Sequence, residues 1–239
     1  MNENLRVKKI GIMQPYFFPY IGYFQIIMAV DLFVFYDDVQ FIKGGWINRN
    51  RIIINNELRY LTIPLKDASA NKLIKDTFVK KDQKAFLIIE KKIEQCYKKA
   101  PFFSIVFPLI QNLLKGDYKT ISELAMYSIE MVSRYLLLST KFIVSSEKFG
   151  DTSRYKRSER LARICHTFSA ETYINAIGGQ ELYDKEEFLR MNIKLQFLKS
   201  QKSAEGRIDH NLLNVSILHL LMYYPPDLIK VLLQDYKLM

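Results

Sequence analysis

The sequence predicts an α/β protein on a mainly parallel sheet, with a helical segment inserted at about residues 82–138. Three observations carry this. "KKIGIM", a helix-like stretch from Tyr20 to Val30 with apolar residues all round it and the β-rich "LFVFYDD" follow one another within about thirty residues, the length of a βαβ crossover. Three later strand-like runs, "KFIVSSE", "ETYINAIGG" and "KLQFL", each follow a helix-like segment. Between the two groups lies a block whose apolar residues recur with helical spacing.

The elements read as follows in chain order. "KKIGIM" is a buried strand stopped by Pro15, and Pro19 precedes a buried helix. "NRIIIN" and "LRYLTIPL", separated by Asn55, Asn56 and Glu57, read as a hairpin with Asn in its turn. Helices are expected at Asp82–Lys99, Pro101–Leu114 and Thr120–Leu138, the last capped by Thr120 or Ser122. The tail from Leu212 to Leu233 reads as helical, interrupted by Pro225 and Pro226. One α/β domain of 239 residues accommodates all of this.

Composition narrows the function. With 49% hydrophobic and 25% charged residues the chain folds. Two cysteines without CxxC spacing argue against a disulfide framework or structural zinc. The first residues, "MNENLRVKKIGIM", lack the apolar core of a signal peptide, and no run of about 18 apolar residues exists to span a membrane, so a cytoplasmic protein is expected. A net charge of +10 points to an anionic partner, but the lysine pairs beginning at residues 8, 80, 91 and 98 read as solvated faces. His166, His210 and His219 have no metal-ligand spacing, so no metal site is expected, and no GxSxG nucleophile appears.

Ligands of parallel sheets bind beyond the carboxyl ends of the strands. That rule groups "MQPYFFP", "DDVQF", "SSEKFG" and "GGQELY" at one edge. Gln14 and a helix start at Tyr20 offer an amide and free backbone N–H groups, with Gly22 permitting close approach of a ligand or of packing. Asp37 and Asp38 are adjacent, so strand geometry sends them to opposite faces and only one serves a given ligand. "KGGWINRNRI" combines Lys43 and Arg49 with Trp46, Asn48 and Asn50, side chains that hold phosphates, stack on sugars and read hydroxyls. Ser146, the basic run at Arg157 and Arg160 with Ser158 as N-cap, and Gly178 with Gly179 complete the candidate lining.

The run "QPYFFPYIGYFQIIMAVDLFVFYDDVQFIKGGWINRNRI", with the later "KRSERL", "YINAIGGQELYD" and "IKLQFL", closely resembles the signature of the WbqC-like protein family over nearly the whole chain. The resemblance implies a bacterial protein of O-antigen and surface-polysaccharide biosynthesis that attaches an amino acid, such as glycine, to an amino sugar. Near its end the chain departs from the pattern, with His219 of "DHNLLNVSILH" at a usually acidic position. A looser similarity links "PYIGY" to the HxGH region of nucleotidyltransferases, pantothenate synthetases and class I aminoacyl-tRNA synthetases, which implies a Rossmann-like sheet of the HUP kind. Tyr20 and Tyr23 stand where those histidines would be, so adenylate chemistry does not carry over.

The expectation drawn from residues and resemblance together is an enzyme that forms an amide between an amino acid or small acyl group and a nucleotide-linked amino sugar. Asp38, or Asp37, would act as base or orient the amine. Lys43 and Arg49 would hold phosphates or the oxyanion, while Gln14, Asn48 and Asn50 would read the substrate. The acyl donor would be activated by ATP with Mg²⁺ or arrive on an aminoacyl-tRNA. The alternative is a non-catalytic sugar- or partner-binding protein of the polysaccharide machinery.

Overall fold

The computed structural model describes residues 7–54, 57–201 and 214–239. The chain opens with β1 (Lys9–Met13), α1 (Ile21–Ala29) and β2 (Leu32–Phe35), and β1 and β2 pair in parallel with Ile10 opposite Leu32. The crossover returns at Asp31, whose carboxylate accepts the backbone N–H groups of Lys8 and Lys9 at 2.9 Å each. Helix α1 is buried along Ile21–Ile27 and lies tight on the sheet. A Cβ on Gly11 would stand 3.0 Å from the Phe33 ring and 3.2 Å from Ile26, so a larger residue in β1 would push the helix away. Gly22 is tighter still, 2.5 Å from the Tyr20 ring and 3.0 Å from Ser200 Oγ. It is a packing glycine, and the space expected there for a ligand is filled by tyrosine.

A hairpin of β3 (Arg49–Ile54) and β4 (Glu57–Thr62) follows, antiparallel with Arg49 opposite Thr62. Its expected turn at Asn55 and Asn56 lies outside the described residues. Next comes a feature absent from the sequence reading, a two-residue antiparallel ribbon of β5 (Leu65–Lys66) and β6 (Phe78–Val79) around a 3₁₀ turn at Ile74–Asp76. The expected helical block is α2 (Gln83–Tyr97), α3 (Phe103–Lys115) and α4 (Ile121–Tyr135). Asp82 caps α2, and Thr120 with Glu123 forms a reciprocal capping box on α4.

The sheet resumes with β7 (Lys141–Val144), parallel to β2, followed by the single turn α5 (Ser145–Lys148) and a 3₁₀ segment at Gly150–Arg154. Helix α6 (Arg157–Thr167) leads to β8 (Thr172–Ala176), which crosses back to pair in parallel with the other side of β1. Helix α7 (Lys185–Arg190) then leads to β9 (Lys194–Ser200), parallel to β8. Two helices, α8 (Ile217–Tyr223) and α9 (Pro226–Leu233), precede β10 (Tyr236–Leu238), which pairs antiparallel to β9. The expected tail helix is therefore split at Pro225–Pro226, and its start at Leu212 lies outside the described residues.

The sheet order is β10-β9-β8-β1-β2-β7. Crossovers run outward in both directions from β1, so the order reverses between β1 and β8, where the loops beyond the strands diverge and leave a crevice. The two faces are covered separately. Phe33, Phe35, Ile174 and Leu198 face α1, the helical block and α8–α9. Ile10, Ile12, Leu32, Val34, Tyr173 and Leu195 face α6 and α7. Each strand is thus apolar on both sides, as a parallel sheet between helices requires.

The loop after β1 is locked from several directions. Phe18 is fully buried with φ 42°, a left-handed conformation costly for an aromatic residue. Its N–H donates to Ser128 Oγ of α4 at 3.1 Å, and its carbonyl accepts Asn50 Nδ2 of β3 at 2.7 Å and Ser216 Oγ before α8 at 2.9 Å. Replacing Asn50 with Ala should therefore destabilise the fold by about 1–3 kcal/mol, and Ser128→Ala by a similar amount. In the double variant the two losses should not add, because both act on one residue. Denaturant unfolding of the four proteins checks this, and strictly additive losses would refute the shared clamp.

Candidate functional site

Loops following β1, β2, β7 and β8 all emerge at the carboxyl edge of the sheet, and the densest polar network there starts from β2. Backbone pairing continues one residue past the strand, with Tyr36 N–H donating to the Met13 carbonyl at 2.8 Å. Extended geometry then alternates the next side chains. Tyr36 and Asp38 reach α6, while Asp37 reaches the end of β7.

On the α6 side, Arg160 is 5% exposed and every guanidinium nitrogen has a partner. Nη2 donates to Asp38 Oδ2 at 2.5 Å, Nη1 to the Tyr36 hydroxyl at 3.1 Å and Nε to Thr152 Oγ1 at 3.0 Å. The guanidinium also lies 4.8 Å from the Tyr36 ring centroid. Burial raises the Tyr36 phenol above its ordinary value, and the adjacent Arg160 charge works against that rise. Asp38 Oδ1 is buried as well, yet it meets no donor among the described residues. An ionised oxygen without a hydrogen bond is costly in a dry site, so this atom calls for a donor from outside the described residues, such as a water or a ligand.

Asp37 is 2% exposed and accepts twice from one residue, Ser146 N–H to Oδ1 at 2.9 Å and Ser146 Oγ–H to Oδ2 at 2.7 Å. Burial raises its carboxyl above the ordinary 3.8, the two Ser146 bonds oppose that rise, and the Asp38 charge adds to it. The pair also joins the ends of β2 and β7. On the other side of the edge, exposed Arg157 begins α6 and its charge acts on Tyr183, lowering a phenol that burial raises. Ser158, expected as the N-cap, lies inside the first turn. The N-cap is Lys156, and it makes no side-chain bond to the helix.

Gly178 and Gly179 sit in a 3₁₀ turn directly after β8 rather than opening a helix; α7 begins later, capped by Asp184. A Cβ on Gly179 would stand 2.7 Å from Asn175 Nδ2, so this glycine admits the buried Asn175 amide, while Gly178 is open. Across the β1 side, Gln14 accepts a long 3.5 Å bond from Tyr16 Oη and its carbonyl accepts Tyr23 Oη at 2.9 Å. Tyr20 is the N-cap of α1, half-buried, without a capping bond from its side chain. Burial pushes the Tyr16 phenol up to about 12 and raises Tyr20, so both remain neutral hydroxyls at neutral pH.

The "KGGWINRNRI" residues are used differently. Asn48 Nδ2 donates to the Ile63 carbonyl at 2.9 Å and Asn50 holds Phe18, so both amides are engaged by backbone. Arg49 folds onto its own turn, bonding the Gly44 and Gly45 carbonyls, and covers the Tyr60 ring at 4.3 Å. Trp46 is 37% exposed, with Arg51 5.0 Å from its ring centroid and Tyr60 at 6.2 Å. Lys43 is exposed. The structure therefore brings Asp37, Asp38, Ser146 and Arg160 into one network, and it places Trp46, Arg49, Arg51 and Tyr60 in a second, aromatic cluster on the hairpin.

Tyr36 and Thr152 belong to the first network and were not singled out by sequence. The alternation of "FVFYDD" placed Tyr36 beside Asp38, but nothing local marked Thr152. No group of three or more His, Cys, Asp or Glu side chains converges on a metal-sized site among the described residues. His219 packs against Tyr97 and Tyr223 with burial lowering its pKa, and His210 lies outside the described residues. Cys165 is buried with its thiol pushed up to about 12, which makes it a poor nucleophile.

Two outcomes follow from these networks. Arg160→Met leaves a carboxylate buried without its cation and should cost about 3–5 kcal/mol, as should Asp38→Asn in the reverse sense, whereas the double variant should lose less than the sum. Denaturant unfolding of the cycle measures it. For Asp37, the raised value means the folded chain holds this proton more tightly than the unfolded one. The corresponding stability is present below the ordinary carboxylate range and lost as pH rises through the raised value. Asp37→Asn imitates the protonated form, so its melting temperature should match the unaltered protein near about pH 4 and exceed it increasingly toward about pH 7. The opposite trend would show Asp37 to be stabilised by its charge.

The uncharacterized protein Rv1507c of Mycobacterium tuberculosis (strain ATCC 25618 / H37Rv) is 27% identical over 192 residues, 79% of this chain and 81% of that protein. No solved structure matches the chain significantly. Among the described residues no helix is long and apolar enough to cross a membrane. The sequence model of the WbqC-like protein family matches residues 14–231, from the loop after β1 to the last turn of α9, and the chain belongs to that family.

Proposed function

We propose that this protein is an enzyme of surface-polysaccharide biosynthesis that joins an amino acid or small acyl group to the amine of a nucleotide-linked amino sugar. The observation that carries the reading is Asp38 Oδ1, a buried carboxylate oxygen with no donor among the described residues, held through its other oxygen by Arg160. An amine, directly or through one water, supplies the missing donor and is oriented by it. In the reaction the amine nitrogen bonds to the acyl carbon, the activating phosphate or tRNA hydroxyl leaves, and the amine proton passes to the carboxylate. ATP with Mg²⁺ and an aminoacyl-tRNA are both chemically adequate sources of the activated acyl group.

The strand order supports a nucleotide-binding sheet. Counted in chain order, the five parallel strands sit 3-2-1-4-5, the doubly wound arrangement of Rossmann-like and HUP folds, with the Asp37–Asp38 network one strand from the reversal between β1 and β8. Exposed Arg157 at the start of α6 would meet a phosphate of the nucleotide in this reading. The second reading is a non-catalytic sugar-binding protein, and the exposed Trp46–Tyr60 pair favours it, because such rings stack on sugar faces.

Incubation with UDP- and dTDP-amino sugars, amino acids, and either ATP–Mg²⁺ or charged tRNA should yield a product heavier by one acyl group. Asp38→Asn should reduce turnover by about 10²-fold or more. If that variant does not fold, Asp38→Asn with Arg160→Gln removes both charges together and serves instead. Sugar binding that depends on Trp46, with no mass change under either donor, would favour the second reading.

A further inference from the structure

One of the lysine pairs read from sequence as a solvated face, Lys80–Lys81, is joined by three single lysines in the tertiary structure. Lys66, Lys72, Lys80, Lys81 and Lys119 line one cavity of ≈ 560 Å³, together with Asp67, Phe78 and Val79. They come from β5, the loop before the 3₁₀ turn, the segment after β6 and the residue before the α4 cap, so only the fold brings them together. Five lysines and one carboxylate, Asp67, line it, with a second carboxylate, Asp117, close to Lys81 and Lys119. Lys81 is paired with Asp117, but Lys66, Lys72, Lys80 and Lys119 make no ion pair among the described residues. Gathering unpaired like charges costs free energy that a multivalent anion would reverse.

The helix beside the cavity does not supply the anion site itself. Glu123 already occupies the start of α4, accepting from Lys119 N–H at 2.7 Å and from Thr120 N–H at 3.4 Å. The attraction therefore rests on the lysine ammoniums, which bind phosphates as point charges. The backbone beneath them is firm: Val79 N–H donates to the Lys119 carbonyl at 3.0 Å and Lys80 N–H to the Pro64 carbonyl at 2.9 Å. One wall is apolar, because the Phe78 ring is 48% exposed beside buried Val79.

We propose that this cavity binds a nucleoside di- or triphosphate, with the phosphates among Lys66, Lys72, Lys80 and Lys119 and the base against Phe78. Its volume lies within the range of about 300–1,000 Å³ usual for small-molecule sites. A single-stranded RNA would instead require a groove with successive aromatic platforms, and this cavity offers one ring. The site is distinct from the Asp38 network but linked to its loop, since Phe41 N–H donates to the Lys72 carbonyl at 2.8 Å and Lys75 N–H to the Asp37 carbonyl at 3.0 Å.

Isothermal titration of the full chain with pyrophosphate, ADP and ATP tests the site. Lys80 and Lys119 are exposed and make no ion pair among the described residues, so Lys80→Gln with Lys119→Gln should leave the melting temperature unchanged while weakening all three ligands about tenfold or more. Phe78→Ala should weaken ADP and ATP and leave pyrophosphate unchanged. Raising salt from about 50 to about 200 mM should weaken every ligand. The proposal is overturned if none of the three binds, if the lysine variant binds them as tightly as the unaltered protein, or if Arg157→Ala abolishes binding instead, which would place the nucleotide at the carboxyl edge. Capture of a short single-stranded RNA that excess ADP fails to displace would also overturn it.

Discussion

The architecture depends on Phe18 being held in a conformation it would not adopt alone. A buried aromatic residue with positive φ carries strain of about 1–3 kcal/mol, and three side chains from separate parts of the chain oppose it. Ser128 belongs to the helical block, Asn50 to the hairpin and Ser216 to the C-terminal helices. Each would otherwise be a separate layer on one face of the sheet. Through Phe18 they converge on the loop that follows β1, with Phe17 N–H on the Ile47 carbonyl and Ile217 N–H on the Pro19 carbonyl closing the same junction. The aromatic motif is therefore a keystone of the carboxyl edge and, in Phe17, Phe18, Tyr23 and Phe24, a buried one.

With that edge fixed, period-two alternation along β2 distributes the chemistry. Adjacent aspartates diverge, one to Ser146 and one to Arg160, and their environments diverge with them. Asp37 is satisfied twice by neutral donors and is pushed up by burial. Asp38 is paired with a cation through one oxygen and meets no donor at the other among the described residues. A buried ion pair is weak support for stability, since desolvation offsets most of the attraction, and its retention here is better understood as orientation. The guanidinium fixes which way the carboxylate faces, and Tyr36 and Thr152 fix the guanidinium.

The helical block contributes a second chemistry on a different surface. Its first helix and its capping box are ordinary, but the β5–β6 ribbon that precedes it draws lysines from sequence positions up to 53 residues apart, Lys66 to Lys119, into one cavity. The basic excess of the chain thus has a specific location as well as a diffuse one. The aromatic hairpin cluster around Trp46 is a third exposed feature, separate from the buried network.

Much of this was legible from the chain alone, for physical reasons. Apolar runs between turn residues identify strands buried on both faces, helical periodicity and the Asp82 and Thr120 caps place α2–α4, and adjacency alone dictates that Asp37 and Asp38 diverge. Local geometry and burial patterns are encoded by near neighbours, so sequence determined the α/β class, the parallel core and the carboxyl-edge grouping. What the tertiary structure decided are pairings across long separations: Asn50 spent on Phe18 rather than left for a ligand, Arg49 folded onto its own glycine turn, Arg160 neutralised by Asp38 122 positions away, and lysines that looked dispersed made into a cavity. A side chain's availability depends on which distant partner desolvates and satisfies it, and no local pattern carries that information.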